Sequence, residues 1–214
     1  AAAGSAPDAQ PGEVEEGAPE PTPVPAGASA EAEEAGQGTV HAVAIPAGKP
    51  TAVGRPVRYS IEIEDGAATG ATQFAAVVQA TLADARGWQS AEGVRFVPVS
   101  PEELAGGTAV DIRVTLATPA LTARLCAPLN TTVSQVSCWN RGRAVLNLQR
   151  WVRGSSTYGD NLTGYRTYLV NHEVGHGLGH QHQHCPGPGK PAPIMVQQTK
   201  SLEGCTAWSW PTPP

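Results

Sequence analysis

Five of the six histidines in this 214-residue chain fall between positions 172 and 184. They stand in the frame His172-Glu173-Val174-Gly175-His176-Gly177-Leu178-Gly179-His180-Gln181-His182. On a helix, residues four apart lie one turn apart on the same face. Both His172 and His176 can therefore reach one metal ion. Geometry selects the third ligand. In a continued helix His180 would lie about 12 Å along the axis from His172, whereas Zn–N bonds are about 2.0–2.1 Å. Gly179 tolerates positive φ and is a usual helix-ending residue. A sharp turn there can fold the chain back and bring His182 to the metal. His180 and His184 are then left beside the site or on the surface.

Three neutral imidazoles leave one position of tetrahedral Zn²⁺ open, the mark of a catalytic rather than a structural site. Such a metal acidifies water and polarises a scissile carbonyl. Glu173 follows the first ligand directly, so its carboxylate can reach that water without occupying the metal. It is the expected general base, passing the proton on to the leaving amine. A structural zinc site would want a fourth protein ligand and no acid beside the metal.

These residues need a helix, expected from Gly164 to about Gly179 and capped by Asp160 or Asn161. Val170, Val174 and Leu178 lie roughly opposite the metal face, suited to packing on a sheet. Upstream, Val57, Tyr59, Ile61 and Ile63 alternate over 57–63, the period of a strand. Phe74, Val77, Val78 and Leu82 give 71–86 helical spacing, closed by Gly87. Strands are expected at 93–97, which Pro98 ends or puts at an edge, and at 109–116. A short helix fits 118–125. Two further strands, 132–138 and 143–149, are joined through Asn140-Arg141-Gly142. The order predicts an α/β (α+β) fold: one mixed sheet of about five strands, a backing helix, the active-site helix and a small irregular C-terminal lobe.

The formal net charge of -5 describes neither part of the chain. Residues 1–38 carry eight acids and no Lys or Arg (-8), whereas the other 176 carry 14 bases and 11 acids (+3). Ala, Gly, Pro and Glu make up 30 of those first 38 residues, too little apolar surface to offset the entropy of ordering. Residues 1–39 are read as a disordered acidic tether. Residues 40–214 are read as one domain, with an upper part at about 56–179 and a lower lobe at about 180–214. The chain starts at Ala1 without a signal-peptide pattern, so a signal peptide or anchor is expected upstream. No apolar run exceeds five residues (Phe74 to Val78), far short of the roughly twenty a membrane span needs. Nucleic acid is not an expected partner, and a monomer is expected.

The four cysteines form no Cys-x-x-Cys pair. Nearest-neighbour closure favours Cys126–Cys138 and Cys185–Cys205, and disulfides suit an exported protein. Trp208 and Trp210 are read as caps on a small core rather than as a ligand site. Arg141, Arg143, Arg150 and Arg153 are read as a solvated face rather than an anion site.

The frame at His172, Glu173, His176, Gly179 and His182 resembles the extended zinc motif of the metzincin metallopeptidases. Met195, the only methionine, follows His182 by 13 residues, where that family carries a methionine turn beneath the metal. The element order also resembles the metzincin upper part. The resemblance implies a peptide substrate lying extended along edge strand 132–138 by β-augmentation, with Val196, Gln197, Gln198 and Thr199 walling the pocket after the cut. More narrowly, 56–208 resembles a family of exported actinobacterial proteins without an assigned function, most closely from Tyr165 to Thr199. No Tyr follows Met195, and the tail has no Cys that could block zinc. The expected function is an exported zinc endopeptidase, free or tethered to the cell envelope. The alternatives are an envelope-binding module with a structural or vestigial zinc site, and a zinc amidase acting on peptidoglycan peptides.

Overall fold

The computed structural model describes residues 36–46, 53–67, 71–129 and 135–214. Nearly all of the 1–39 tether lies outside these residues. Strand β2 (Arg55–Glu64) pairs in parallel with β4 (Ile112–Ala117), and β4 with β6 (Arg143–Asn147). The other edge of β2 is shared end to end: β3 (Val94–Pro98) runs parallel along 55–59, and β1 (Val40–Ala42) antiparallel along 62–64. β5 (Cys138–Asn140) closes the far side, antiparallel to β6. The sheet is mixed, as expected, with six strands rather than about five.

Alternation sorts the two faces. Val57, Tyr59, Ile61 and Ile63 join Val114, Leu116 and Leu146 in the main core, which α1 (Ala71–Ala83) and α6 (Leu162–Gly177) cover. On the opposite face α4 (Pro119–Cys126), Val145 and the Cys126–Cys138 disulfide enclose a smaller core. Glu62 is buried on that second face, paired with Arg113 and Arg143 and accepting from the Thr115 hydroxyl. A one-residue slip of β2 would carry this carboxylate into the apolar core, which fixes the register. Arg143 is thus the partner of a buried acid, not part of a solvated face. Arg150 donates to the Gln135 carbonyl, so the four arginines share no common role.

Most departures from the expected elements trace to polar side chains that capture backbone groups. The helix expected over 71–86 stops at Ala83, because the Asp84 carboxylate accepts from both the backbone N–H and the Nε of Arg86. Gly87 then opens a separate helix, α2 (Trp88–Glu92). Strand 143–149 ends at Asn147, whose side chain accepts from Gln149 N and caps α5 (Leu148–Arg153). A capping box between Ser100 and Glu103 starts the unanticipated α3 (Pro101–Ala105). The strand expected at 132–138 begins only at Cys138, and residues 132–134 lie outside the described residues. Its hairpin turns at Arg141 and Gly142, with φ of 48° and 78°. Positive φ at both central residues is the type I′ requirement that matches strand twist.

The second disulfide, Cys185–Cys205, is also the expected pairing. It sits with Ala192, Val196 and Leu202 in a small core of its own. Beyond it the chain leaves the lower lobe, and Ser209 returns to α6 through Asn171 Nδ2 (2.9 Å) and the Gly164 carbonyl (2.7 Å). Trp208 donates to Thr212 O, and Arg86 stacks over Trp210. Both tryptophans are half-buried, but neither packs on the small core around Cys185–Cys205 that the sequence predicts them to cap. No helix among the described residues is long and apolar enough to cross a membrane.

Candidate metal centre

Asn161 caps α6 by accepting from Gly164 N (2.8 Å), and the helix then carries His172, Glu173 and His176 to its C-terminal end. Gly179 ends it with a φ of 103°. Gly179 N donates to His176 O and His180 N to Gly175 O, the paired bonds of a Schellman motif. The chain reverses, and Gln183 N is fastened to Met195 O (3.0 Å). His182 is thereby returned to the helix. The ligand atoms of His172, His176 and His182 all lie within 4.8 Å of one another.

Ring orientation is set from behind. His172 Nδ1 stands 2.9 Å from the Ile194 carbonyl and His176 Nδ1 2.8 Å from the His180 carbonyl. A carbonyl can only accept, so each Nδ1 carries the proton and each Nε2 presents a lone pair. His176 Nε2 and His182 Nε2 are 3.1 Å apart, close to the roughly 3.3 Å between two tetrahedral zinc nitrogens with bonds of about 2.05 Å. Burial pushes His172 down to about 3 and lowers His176 and His182 as well. Protons therefore compete poorly for these nitrogens. The three donors fit a metal ion, and the committed Nδ1 positions are the outer hydrogen bonds that orient metal-binding histidines.

Glu173 is buried, and burial alone pushes its carboxyl up to about 8. Its Oε2 has no hydrogen-bond partner. An orphaned oxygen in a buried carboxyl costs free energy that a cation or water nearby would recover. Glu173 shares a cleft of about 470 Å³ with the three histidines.

Met195 is buried in the main core beneath α6. A Cβ built on Gly175 would stand 2.6 Å from Met195 Sδ and 2.6 Å from the Trp88 ring. On Gly177 it would stand 2.8 Å from Trp139. Helix-weakening glycines at these two positions are the one sequence signal that could have exposed this close approach. Trp88 also donates to Asn171 O and stacks on the His180 ring, centroids 4.5 Å apart. His180 Nε2 lies 2.9 Å from Glu92 Oε1. So His180 orients His176 through its carbonyl, while its own ring packs against Trp88 and Glu92. His184 is exposed, against Glu203.

One cleft wall comes from Val136, Ser137, Cys138 and Trp139 at the β5 edge, another from Gln197, Thr199 and Lys200 after Met195. Of the four residues expected to wall a pocket, only Gln197 and Thr199 line it. Val196 and Gln198 are buried instead, because Tyr158 OH and Trp208 N both donate to Gln198 Oε1 and Gln198 N donates to Tyr168 OH. Tyr168 OH in turn donates to Val196 O (3.0 Å), and Tyr165 OH meets Thr199 Oγ1 (3.0 Å). These tyrosines anchor the segment after Met195 to α6, a role with no local sequence pattern.

No curated protein and no solved structure shows significant similarity to the chain. A family match covers residues 24–209, and with it the sheet, the three histidines, Glu173 and both disulfides. The chain therefore belongs to the family described as "Protein of unknown function (DUF3152)".

Proposed function

We propose that this protein is an exported zinc-dependent endopeptidase of metzincin type. The observation that carries the reading is the buried Glu173 carboxyl, with one oxygen unpaired, in the same open cleft as three converging imidazoles. A binding module with a structural metal has no use for that acid. Three neutral nitrogen donors favour zinc among common ions, and three rather than four protein ligands favour a catalytic site. Zinc, when bound, supplies Lewis acidity towards a substrate carbonyl and water.

The chain's own residues do the remaining work. His172, His176 and His182 are held as lone-pair donors by the Ile194 and His180 carbonyls and by the Gly179 turn. Glu173 Oε2 accepts the proton released as water attacks the peptide carbonyl, then delivers it to the departing amine. β5 pairs only with β6 among the described residues, which leaves an edge on which an extended peptide can hydrogen-bond. Two disulfides fit an oxidising, extracellular compartment.

The test is cleavage of a diverse peptide library and of casein by zinc-loaded wild type, by Glu173→Gln and by chelator-treated protein. Wild type should cleave. Glu173→Gln should bind zinc but lose activity by about 10²–10⁴-fold, and chelation should abolish activity until zinc is restored. A zinc-loaded, disulfide-bonded wild type that cleaves none of these peptides would leave the binding module as the better reading. Release of peptide from cell-wall preparations alone would point to the amidase.

A further inference from the structure

Resting on that reading, we infer that the cleft has a subsite for a substrate carboxylate beside the scissile bond, with Lys200 as its cation. Lys200 is exposed and lines the same cleft as the three histidines and Glu173. Among the described residues lining that cleft it is the only Lys or Arg, and buried Glu173 is the only acid. No Asp or Glu among the described residues lies within ion-pair distance of the Lys200 amine. The nearby Glu203 carboxylate is committed to His184 and to Cys185 N.

The backbone carrying this amine is held on several sides. Lys200 N donates to Gln197 O (2.9 Å), Thr199 O accepts from Ser155 Oγ (3.0 Å), and Thr199 Oγ1 meets Tyr165 OH. The stem of the side chain therefore starts from a fixed point on the wall of the cleft that holds the three histidines. Gln197 and Thr199 add neutral polar groups to the same wall.

An unpaired cation on an otherwise neutral polar wall of that cleft attracts an anion. In a peptide that anion is a carboxylate. It has two sources: an Asp or Glu side chain flanking the cleaved bond, or the free C-terminus of a short peptide. An ammonium on a flexible stem is a point charge without fork geometry, so it accepts either.

The experiment uses the zinc-loaded full chain and matched peptide pairs. In one arm, Glu replaces Gln at each position around a cleaved bond. In the other, a free C-terminus replaces its amide. Wild type should prefer the carboxylate member at one flanking position by about threefold to tenfold in kcat/KM, mainly through KM. Raised salt should shrink the preference, because the pair is solvent-exposed. Lys200→Met should bring the ratio to about one, Lys200→Arg should keep it, and Lys200→Glu should invert it towards Lys-containing peptides. Efficient cleavage with no carboxylate preference, or a preference that survives Lys200→Met, overturns the subsite and leaves the peptidase reading standing.

Binding to zinc-loaded Glu173→Gln separates the two failures. The probe is an acetylated alanine peptide with a single glutamate, set against its glutamine counterpart. If wild type cleaves nothing, Lys200-dependent tighter binding of the glutamate peptide sustains the subsite, and equal binding of the two refutes it.

Discussion

Burial holds the Glu173 carboxyl up to about 8, so metal-free folded protein keeps a proton there that the unfolded chain releases near 4.5. Unfolding between those values releases a proton, and stability falls as pH rises through that window. His172 has the opposite sign. Its folded value, about 3, lies below the ordinary 6.5, so it costs nothing above 6.5 and destabilises the fold as pH falls from there towards 3. In excess chelator, Glu173→Gln should therefore gain stability over wild type as pH rises from 4.5 to 8. The gain should be on the order of a few kcal/mol, read as urea midpoints at a series of pH values. A difference independent of pH would show that Glu173 is not held protonated. Residue types and their spacing brought this acid and the three histidines to notice. That Glu173 Oε2 is unpaired, and that Gly175 is pressed against Met195 and Trp88, depends on side chains from other elements.

The break in α6 decides the geometry at the scale of elements. Gly179 at a φ of 103° lets the Schellman bonds form and points the chain back, and Gln183 N fastens the returning strand to Met195 O. A Cβ at that position meets no neighbouring atom, so the cost of Gly179→Ala is backbone strain alone, about 1–2 kcal/mol. Because His182 depends on this turn and α6 does not, zinc affinity should fall by about tenfold or more while far-UV circular dichroism stays near wild type. Chelator competition measures the first quantity. Unchanged affinity would mean that His182 reaches the metal by another route. Gly179 was legible because a glycine three residues after His176 and a histidine, His182, three residues beyond it form a local pattern. The ends of α1 and β6 were not legible, because Asp84 and Asn147 there compete with apolar periodicity that still favoured continuation.

The whole molecule divides its labour between a large sheet core and a lower lobe with few apolar residues, held by Cys185–Cys205. That crosslink spans Met195 in sequence, and the lobe supplies Ile194 O, which orients His172. Replacing both cysteines by serine should cost about 2–4 kcal/mol in the lobe. Zinc affinity and peptide cleavage should be lost before the sheet melts. Separate transitions, by hydrogen exchange for residues 185–205 and by circular dichroism for the sheet, would show this. A single coincident transition would contradict it.

Local periodicity and spacing were sufficient for the strand alternation of β2, the helix under the histidines, the turn at Gly179 and both disulfide pairings. Each of these is encoded within about twenty residues, where chain geometry restricts the outcome. Contacts between remote segments were decided only by tertiary structure: Glu62 between Arg113 and Arg143, Gln198 buried beneath Trp208, and the His172 ring aimed by Ile194 O. They form when the sheet closes and the lower lobe docks. Their partners stand at separations that carry no periodic signal, and burial makes an unpaired polar group costly enough to select one arrangement.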